Sequence, residues 1–135
     1  MSFQNAYNGQ DNPDVRPQVL VVEDEALVSI LMEEMLIECG FDIVGPAANT
    51  EEAMRLIQTD EIHLAVLDVN LGGNERVYDI ARELEMRNVP YAYVTGYADV
   101  EDAAAVPVIA KPFREDALCQ VLGDLLGSNR IGLTT

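Results

Sequence analysis

The sequence has few basic residues and no long hydrophobic segment. Lysine and arginine total 8 against 24 aspartates and glutamates, which gives a formal net charge of −16. Because this charge would repel a phosphate backbone, we expect no nucleic-acid-binding surface. No apolar run approaches the roughly 20 residues of a membrane helix, and residues 1–17 lack the features of a signal peptide. We therefore expect a soluble, cytoplasmic protein whose partners are proteins, cations, or small anions handled with a metal.

Cysteine is also scarce. Cys39 and Cys119 lie far apart in helix-like segments, without CxxC or histidine-rich spacing. This pattern is not that of a zinc site or a disulfide framework. We interpret both residues as reduced thiols that pack in the core.

The length and composition predict one domain. The chain has 135 residues, 49% of them hydrophobic, which is enough for a single sizeable core. Residues 1–17 are polar and aperiodic and are interpreted as a flexible tail. The domain is expected to span residues 18–126, and residues 127–135 are expected to form a loose end. We expect a monomer.

Short apolar segments alternate with amphipathic ones along this domain. The predicted strands are QVLVV, FDIVG, HLAVLD, PYAYVT and PVIAK. Helices are predicted between and after them, with only a short one, ADVEDAAA, before the fifth strand. The alternation is typical of an α/β fold with a doubly wound parallel sheet.

The predicted helices carry apolar residues at helical spacing. Gly40 is the expected stop of the first helix, and Asn49 or Thr50 is the expected N-cap of the second. The apolar sets are Val28, Leu31, Met32, Met35, Leu36 and Cys39 in the first helix, Val77, Ile80, Ala81 and Leu84 in the third, and Leu118, Val121, Leu122 and Leu125 in the last.

Polar residues end four of the predicted strands. Glu23 and Asp24 follow the first strand, Asp68 ends the third, Thr95 the fourth and Lys111 the fifth. The carboxyl ends of parallel strands meet at one edge, so these side chains should converge there. Clustered carboxylates repel one another unless a cation lies among them. Oxygen ligands without thiolate or histidine favour Mg²⁺, with Mn²⁺ as the alternative.

Such a constellation suits a phosphoryl group. Lys111 and a metal ion would neutralise its oxygens, Thr95 would donate a hydrogen bond, and Asp68 would act as the nucleophile. Gly72 and Gly73 leave room beside Asp68. Each residue taken alone also has an ordinary structural explanation, such as a carboxylate that caps a helix or turn.

From about Gln18 to Leu126 the chain resembles the receiver domain of two-component response regulators. The matching motifs are VVEDE, LDVNL, VTG and KPF. The resemblance implies a flavodoxin-like sheet of strand order 2-1-3-4-5 and transfer of phosphate from a histidine kinase's phosphohistidine to Asp68. It also implies Mg²⁺ coordination by Asp24, Asp68 and the backbone carbonyl of Asn70, with Glu23 acting indirectly.

In that family Thr95 and Lys111 would bind the phosphoryl oxygens, and the bond from Lys111 to Pro112 would be cis. Val108 stands where an aromatic switch residue is common. The short connection between Thr95 and Lys111 implies a fourth helix that is short or partly unwound.

These departures resemble a subgroup of stand-alone receivers with a PFxFATGY signature, matched here by PYAYVTGY at residues 90–97. Its members are often partnered by HWE-type histidine kinases. Thr95 and Tyr97 are then the switch candidates.

The resemblance implies a single-domain response regulator that acts as a phosphorelay shuttle, a phosphate sink or a phosphorylation-dependent protein-binding switch. It would not be a conventional enzyme, since it would catalyse only its own phosphorylation and dephosphorylation. The partners would be the kinase and a downstream phosphotransfer or target protein. The kinase would dock over Leu27, Ile30 and Phe113.

Two alternatives stay open. One is a phosphate-independent binding module of receiver fold, although no acidic or lysine position is lost. The other is a phosphohydrolase with an aspartyl nucleophile, similar to haloacid-dehalogenase-like enzymes. That family carries a second aspartate where this chain has Asn70, and it places the pair after the first strand rather than the third.

Overall fold

The computed structural model describes residues 16–71, 77–96 and 106–134. Their five strands form a parallel sheet and, numbered along the chain, lie in the order 2-1-3-4-5, which confirms the predicted doubly wound fold. Among the described residues, none of the helices is both long and apolar enough to span a membrane. The strands are β1 Gln18–Val22, β2 Asp42–Ala47, β3 Leu64–Asp68, β4 Tyr91–Thr95 and β5 Val108–Ala110, and the helices are α1 Ala26–Glu38, α2 Thr50–Thr59, α3 Val77–Met86 and α4 Glu115–Thr134.

The sheet separates two hydrophobic layers. Strands β3 and β4 are buried along their whole length, as expected for parallel strands covered by helices on both faces. Alternate residues point to opposite layers: Leu67 and Tyr93 pack with α2 and α3, whereas Val66 and Val94 pack with α1 and α4. The central strands are thereby held rigidly, and so are the residues that end them.

Helix α2 begins with two side-chain hydrogen bonds to backbone N–H groups. The side chain of Asn49 accepts a hydrogen bond from the backbone N–H of Glu52, at 2.8 Å. The carboxylate of Glu52 in turn accepts from the N–H of Ala48, at 2.8 Å. The arrangement is close to a capping box, except that the carboxylate binds the N–H of the residue before the N-cap. Of the two candidates, Asn49 is therefore the N-cap rather than Thr50.

A bend in β2 brings the end of that strand to the acidic pair. Gly45 has φ +97°, and a Cβ there would lie 2.8 Å from the Ala47 nitrogen, so only glycine fits without strain. The pairing of β1 with β2 shifts register between Leu20 and Val22. Beyond the bend, the carbonyl of Ala47 accepts the N–H of Glu23 at 2.9 Å.

Some expectations about the helices and chain ends were wrong. Leu31 is 48% exposed rather than directed inward, because Met32 and Leu36 fill the core beneath α1. Helix α4 continues to Thr134 instead of ending near residue 126. Arg16, assigned above to the tail, donates to the carbonyl of Ile37 at 2.8 Å.

The predicted fourth helix lies outside the described residues.

The interpretation of the cysteines was also wrong. Cys39 and Cys119 form a disulfide, with their Cα atoms 6.2 Å apart and a sequence separation of 80. Spacing along the chain did not reveal the pair, because the tertiary packing of α1 against α4 is what brings the two residues together.

Candidate functional site

Backbone hydrogen bonds fix the ends of the strands at one edge of the sheet. The N–H of Val69, directly after β3, donates to the carbonyl of Val94 at 3.0 Å. The N–H of Lys111, directly after β5, donates to the carbonyl of Thr95 at 2.9 Å. The residues that follow β3 and β5 are therefore both held against β4.

Three carboxylates lie together at this edge. Glu23 and Asp68 are each 2% exposed, whereas Asp24 is exposed to solvent. A carboxylate oxygen from each lies within 4.8 Å of the others. The sequence-based expectation of convergence thus matches the geometry, with two acids inside the protein and one at its surface.

Lys111 is the cation that faces these acids. Its Nζ lies 3.4 Å from Oε1 of Glu23, 3.6 Å from Oδ1 of Asp68 and 3.8 Å from Oε1 of Glu25. Burial alone would lower the pKa of Lys111, but the negative charges of Asp68 and Glu23 outweigh it and raise that pKa. Lys111 is therefore a fixed positive charge at this edge.

Glu25 was missed by the sequence analysis. It is the third acid of the VVEDE motif, and it precedes α1, where a carboxylate is common for structural reasons alone. Its N–H donates to Oε2 of Glu23 at 3.2 Å, so its backbone also helps to orient the buried acid.

Glu23 lies in an unfavourable environment for a charged carboxylate. Burial, followed by the negative charge of Asp68, raises its pKa from 4.5 to about 7, although Lys111 opposes this shift. Its buried Oε1 accepts no hydrogen bond from the residues that the structure describes. The site therefore has an unmet demand for positive charge or a hydrogen-bond donor.

Asp68 and Thr95 end adjacent strands. Oδ1 of Asp68 accepts a hydrogen bond from the N–H of Asn70 at 3.0 Å, which holds the carboxylate at the edge of the sheet. Asp68 is paired with Val94 in the sheet register, so Thr95 is the next residue along β4. Thr95 is 2% exposed, and this burial fixes its position beside the acids.

The donor set fits a hard divalent cation. The potential ligand atoms of Glu23, Asp24 and Asp68 are all carboxylate oxygens. Oε1 of Glu23 accepts no hydrogen bond from the described residues, so the site has more acceptors than donors. Mg²⁺ prefers such carboxylate ligands and keeps several water ligands. Because Asp24 is exposed to solvent, water can reach an ion bound beside it.

The remaining candidates lie around this edge. Leu27 is 81% exposed and Ile30 is 51% exposed on α1, whereas Phe113 is partly buried against the core beneath α1 and α4. The bond between Lys111 and Pro112 is cis. Val108 is 40% exposed on β5. Tyr97, Gly72 and Gly73 lie outside the described residues.

A family model provides the decisive comparison. The model of the response regulator receiver domain matches residues 19–123, which include both the acidic pair and Lys111. The chain belongs to the response regulator receiver domain family. Receiver domains act in two-component signalling, generally bind Mg²⁺, and interact with histidine kinases and downstream partners; they are not a classical enzyme family.

Individual relatives agree with this assignment. The transcriptional regulatory protein PdtaR of Mycobacterium tuberculosis is 32% identical over 103 residues, which cover 71% of this chain and 50% of PdtaR. The probable transcriptional regulator ycf27 of Porphyridium aerugineum is 30% identical and is covered over 43% of its length. This receiver chain therefore spans about half the length of the curated relatives it matches.

Solved structures show the same fold. The receiver domain of a modulated diguanylate cyclase from Desulfovibrio desulfuricans G20 superposes with a TM-score of 0.79 at 26% identity, covering 87% of this chain and 99% of that one. The response regulator PhyR from Brucella abortus superposes with a TM-score of 0.79 at 22% identity, covering 88% of this chain and 51% of PhyR.

Proposed function

We propose that this receiver domain accepts a phosphoryl group on Asp68 from the phosphohistidine of a histidine kinase. The observation that carries the proposal is the position of Lys111 Nζ, 3.6 Å from Oδ1 of the buried Asp68. A fixed cation beside a buried carboxylate is suited to an incoming anion with several oxygens. Because Asp24 is exposed at the same edge, a phosphoryl donor can approach the site from solvent.

The proposed reaction is a displacement at phosphorus. A carboxylate oxygen of Asp68 forms the new P–O bond while the P–N bond to the donor imidazole breaks. The electron pair of that bond returns to the imidazole nitrogen, which then takes a proton from solvent. Lys111 and the hydroxyl of Thr95 stabilise the phosphoryl oxygens, so these residues supply positioning and charge rather than covalent chemistry.

Asp24, Asp68 and the backbone carbonyl of Asn70 are the proposed ligands of Mg²⁺, with Glu23 acting through a water or a hydrogen bond. When bound, the ion supplies positive charge that offsets the acids and the phosphoryl oxygens. Two features of Glu23 support this assignment: its Oε1 accepts no hydrogen bond from the described residues, and its pKa is raised. Both indicate that the site lacks positive charge.

The proposed output is a protein contact or onward phosphate transfer, as shuttle, sink or binding switch. The net charge of −16 supports protein partners over direct nucleic-acid contact by this domain. PYAYVTGY supports membership of the PFxFATGY subgroup, with Thr95 and Tyr97 as switch residues and an HWE-type kinase as donor. We place the exchange in the cytoplasm on the family resemblance alone.

The proposed docking surface for the kinase consists of Leu27, Ile30 and Phe113. Leu27 and Ile30 are large apolar side chains exposed on α1, and Phe113 lies in the same loop as Lys111, two residues after it. Helix α1 begins two residues after Asp24, so a partner on this surface would lie beside the acids. Exposed apolar side chains at such a position favour a protein contact.

Acetyl phosphate with Mg²⁺ tests the proposed reaction. The parent protein should gain one phosphoryl group by intact-mass measurement, the D68N variant should gain none, and the control D124N, which changes an exposed aspartate of α4, should behave like the parent. Hydrolysis of acetyl phosphate in the absence of a covalent product would instead indicate a phosphohydrolase. No reaction at all would indicate a phosphate-independent module.

A further inference from the structure

Cys39 and Cys119 form a second chemical site, away from the acidic edge. Cys39 directly follows α1, and Cys119 lies in the first two turns of α4. Their Cα separation of 6.2 Å is within the range that a disulfide spans without backbone movement. The fold therefore places the two cysteines at a separation that suits the disulfide.

Solutes can reach this pair. Both cysteines are partly exposed, unlike the fully buried core residues around them. Cys39 also lines an open surface cavity of about 540 Å³ together with Arg114, Glu115 and Asp116. A disulfide with such access can be reduced and formed again by small molecules, whereas a fully buried one is protected.

We propose that Cys39 and Cys119 are a site of reversible oxidation, in which a peroxide converts the dithiol to the disulfide and a dithiol reductant restores it. A cysteine thiolate attacks one peroxide oxygen, the O–O bond breaks, and a sulfenic acid and hydroxide form; the hydroxide takes a proton from solvent to give water. The second thiol then attacks that sulfur and expels the hydroxyl group as a second water. The two sulfurs lose two electrons in total, and the peroxide gains them.

The cross-link joins elements that lie far apart in sequence. Because the sequence separation of the cysteines is 80, the cross-link removes much of the conformational freedom of the unfolded chain and so stabilises the native state. It also ties the end of α1 to the first turns of α4. The residues of the phosphoryl site lie instead at the carboxyl ends of β1, β3, β4 and β5. Oxidation should therefore change the stability of the domain and leave the chemistry at Asp68 intact.

A metal site is the competing explanation. Ligand atoms of Cys39, Glu115 and Cys119 lie within 4.8 Å of one another, a set that would suit a thiophilic ion such as Zn²⁺ if both sulfurs were thiolates. We favour oxidation because the sulfurs are joined to each other in the structure, and a disulfide leaves no thiolate to coordinate an ion.

The test uses the full chain, reduced with dithiothreitol and then exposed to hydrogen peroxide. We expect the mass to fall by two hydrogen atoms, both thiols to resist alkylation, and peptide mapping to find Cys39 linked to Cys119. Dithiothreitol should reverse all three changes. The oxidised form should melt roughly 10 °C higher than the reduced form. The single variants C39S and C119S should show no such shift.

The proposal would be overturned if the thiols still reacted with the alkylating agent after peroxide treatment, or if disulfides formed only between molecules. It would also be overturned if added Zn²⁺ protected the reduced thiols from both hydrogen peroxide and the alkylating agent. The mass and alkylation measurements use the parent protein, so they hold even where a serine variant folds poorly. Labelling of Asp68 by acetyl phosphate in each redox state reports on the proposed function separately.

Discussion

Lys111 Nζ lies 3.4 Å from Oε1 of Glu23, a buried carboxylate oxygen that accepts no hydrogen bond within the described part of the chain. The same ammonium lies 3.6 Å from Asp68. One cation therefore serves two buried acids, and a net negative charge is left inside the protein.

Replacement of Lys111 by glutamine should destabilise the metal-free protein at pH 8. The change leaves two buried carboxylates without their cation, and loss of a buried charged partner costs on the order of 1–3 kcal/mol in free energy of unfolding. The rate of phosphorylation by acetyl phosphate should also fall by roughly 10-fold or more. Urea denaturation and intact-mass kinetics measure the two effects.

Arg114 provides the matched control for Lys111. It is exposed and pairs with the exposed Asp116, so the R114Q variant should stay within about 0.5 kcal/mol of the parent. Equal stability and equal rates for K111Q and R114Q would show that the cation at the site has no special role.

The stability of the metal-free protein should fall as the pH rises from about 4.5 to about 7. Glu23 has a pKa of about 7 in the folded state against 4.5 as its ordinary value, so the folded state binds its proton more tightly. Protonation therefore stabilises the fold, and the stabilisation is lost as the pH passes the folded pKa. The change in free energy of unfolding is on the order of 3 kcal/mol.

Urea denaturation in a chelator at pH 5 and pH 8 measures this effect. The E23Q variant, which keeps the shape of the side chain without titrating, should lose that part of the pH dependence. A parent protein whose stability exceeds that of E23Q by the same margin at both pH values would exclude Glu23 as the cause.

Millimolar Mg²⁺ should raise the melting temperature of the parent protein at pH 8. The ion binds the folded state through carboxylates that otherwise repel one another, so it stabilises by mass action. Replacement of Asp24 by asparagine should reduce the shift, because this removes a proposed ligand. An unchanged melting temperature in the parent would contradict the proposed metal site.

Replacement of Leu27 by glutamate should slow phosphate transfer from the kinase without slowing phosphorylation by acetyl phosphate. The charge disrupts an apolar contact with the partner protein but does not reach the acids. The control variant is M86E. Met86 is an apolar residue of α3 that is 74% exposed, similar to the 81% exposure of Leu27 on α1. Equal transfer rates for the two variants would remove Leu27 from the docking surface.

The architecture and the convergence of the site could be predicted from the sequence. Buried apolar strands such as LAVLD, separated by amphipathic helices, specify a doubly wound sheet, and that topology alone brings Asp68 to the edge where Lys111 lies. The polar residues are informative because each lies at the carboxyl end of a strand, where core packing does not explain it.

Features that depend on contacts between distant segments could not be predicted. The disulfide requires α1 and α4 to place Cys39 beside Cys119, and no spacing in the chain reveals that contact. Leu31 fits the apolar periodicity of α1 but lies at the margin of its buried face, where periodicity alone does not decide exposure. The proximity of Glu25 to Lys111 likewise depends on the backbone path between β1 and α1.

The most direct test of the account is the identity of the residue that carries the phosphoryl group. After reaction with acetyl phosphate and Mg²⁺, borohydride reduces an aspartyl phosphate to homoserine, which peptide mass spectrometry locates. We predict homoserine at position 68 and at no other acidic position. Homoserine at another carboxylate, or unmodified Asp68 in a protein that remains folded and binds Mg²⁺, would contradict the central claim.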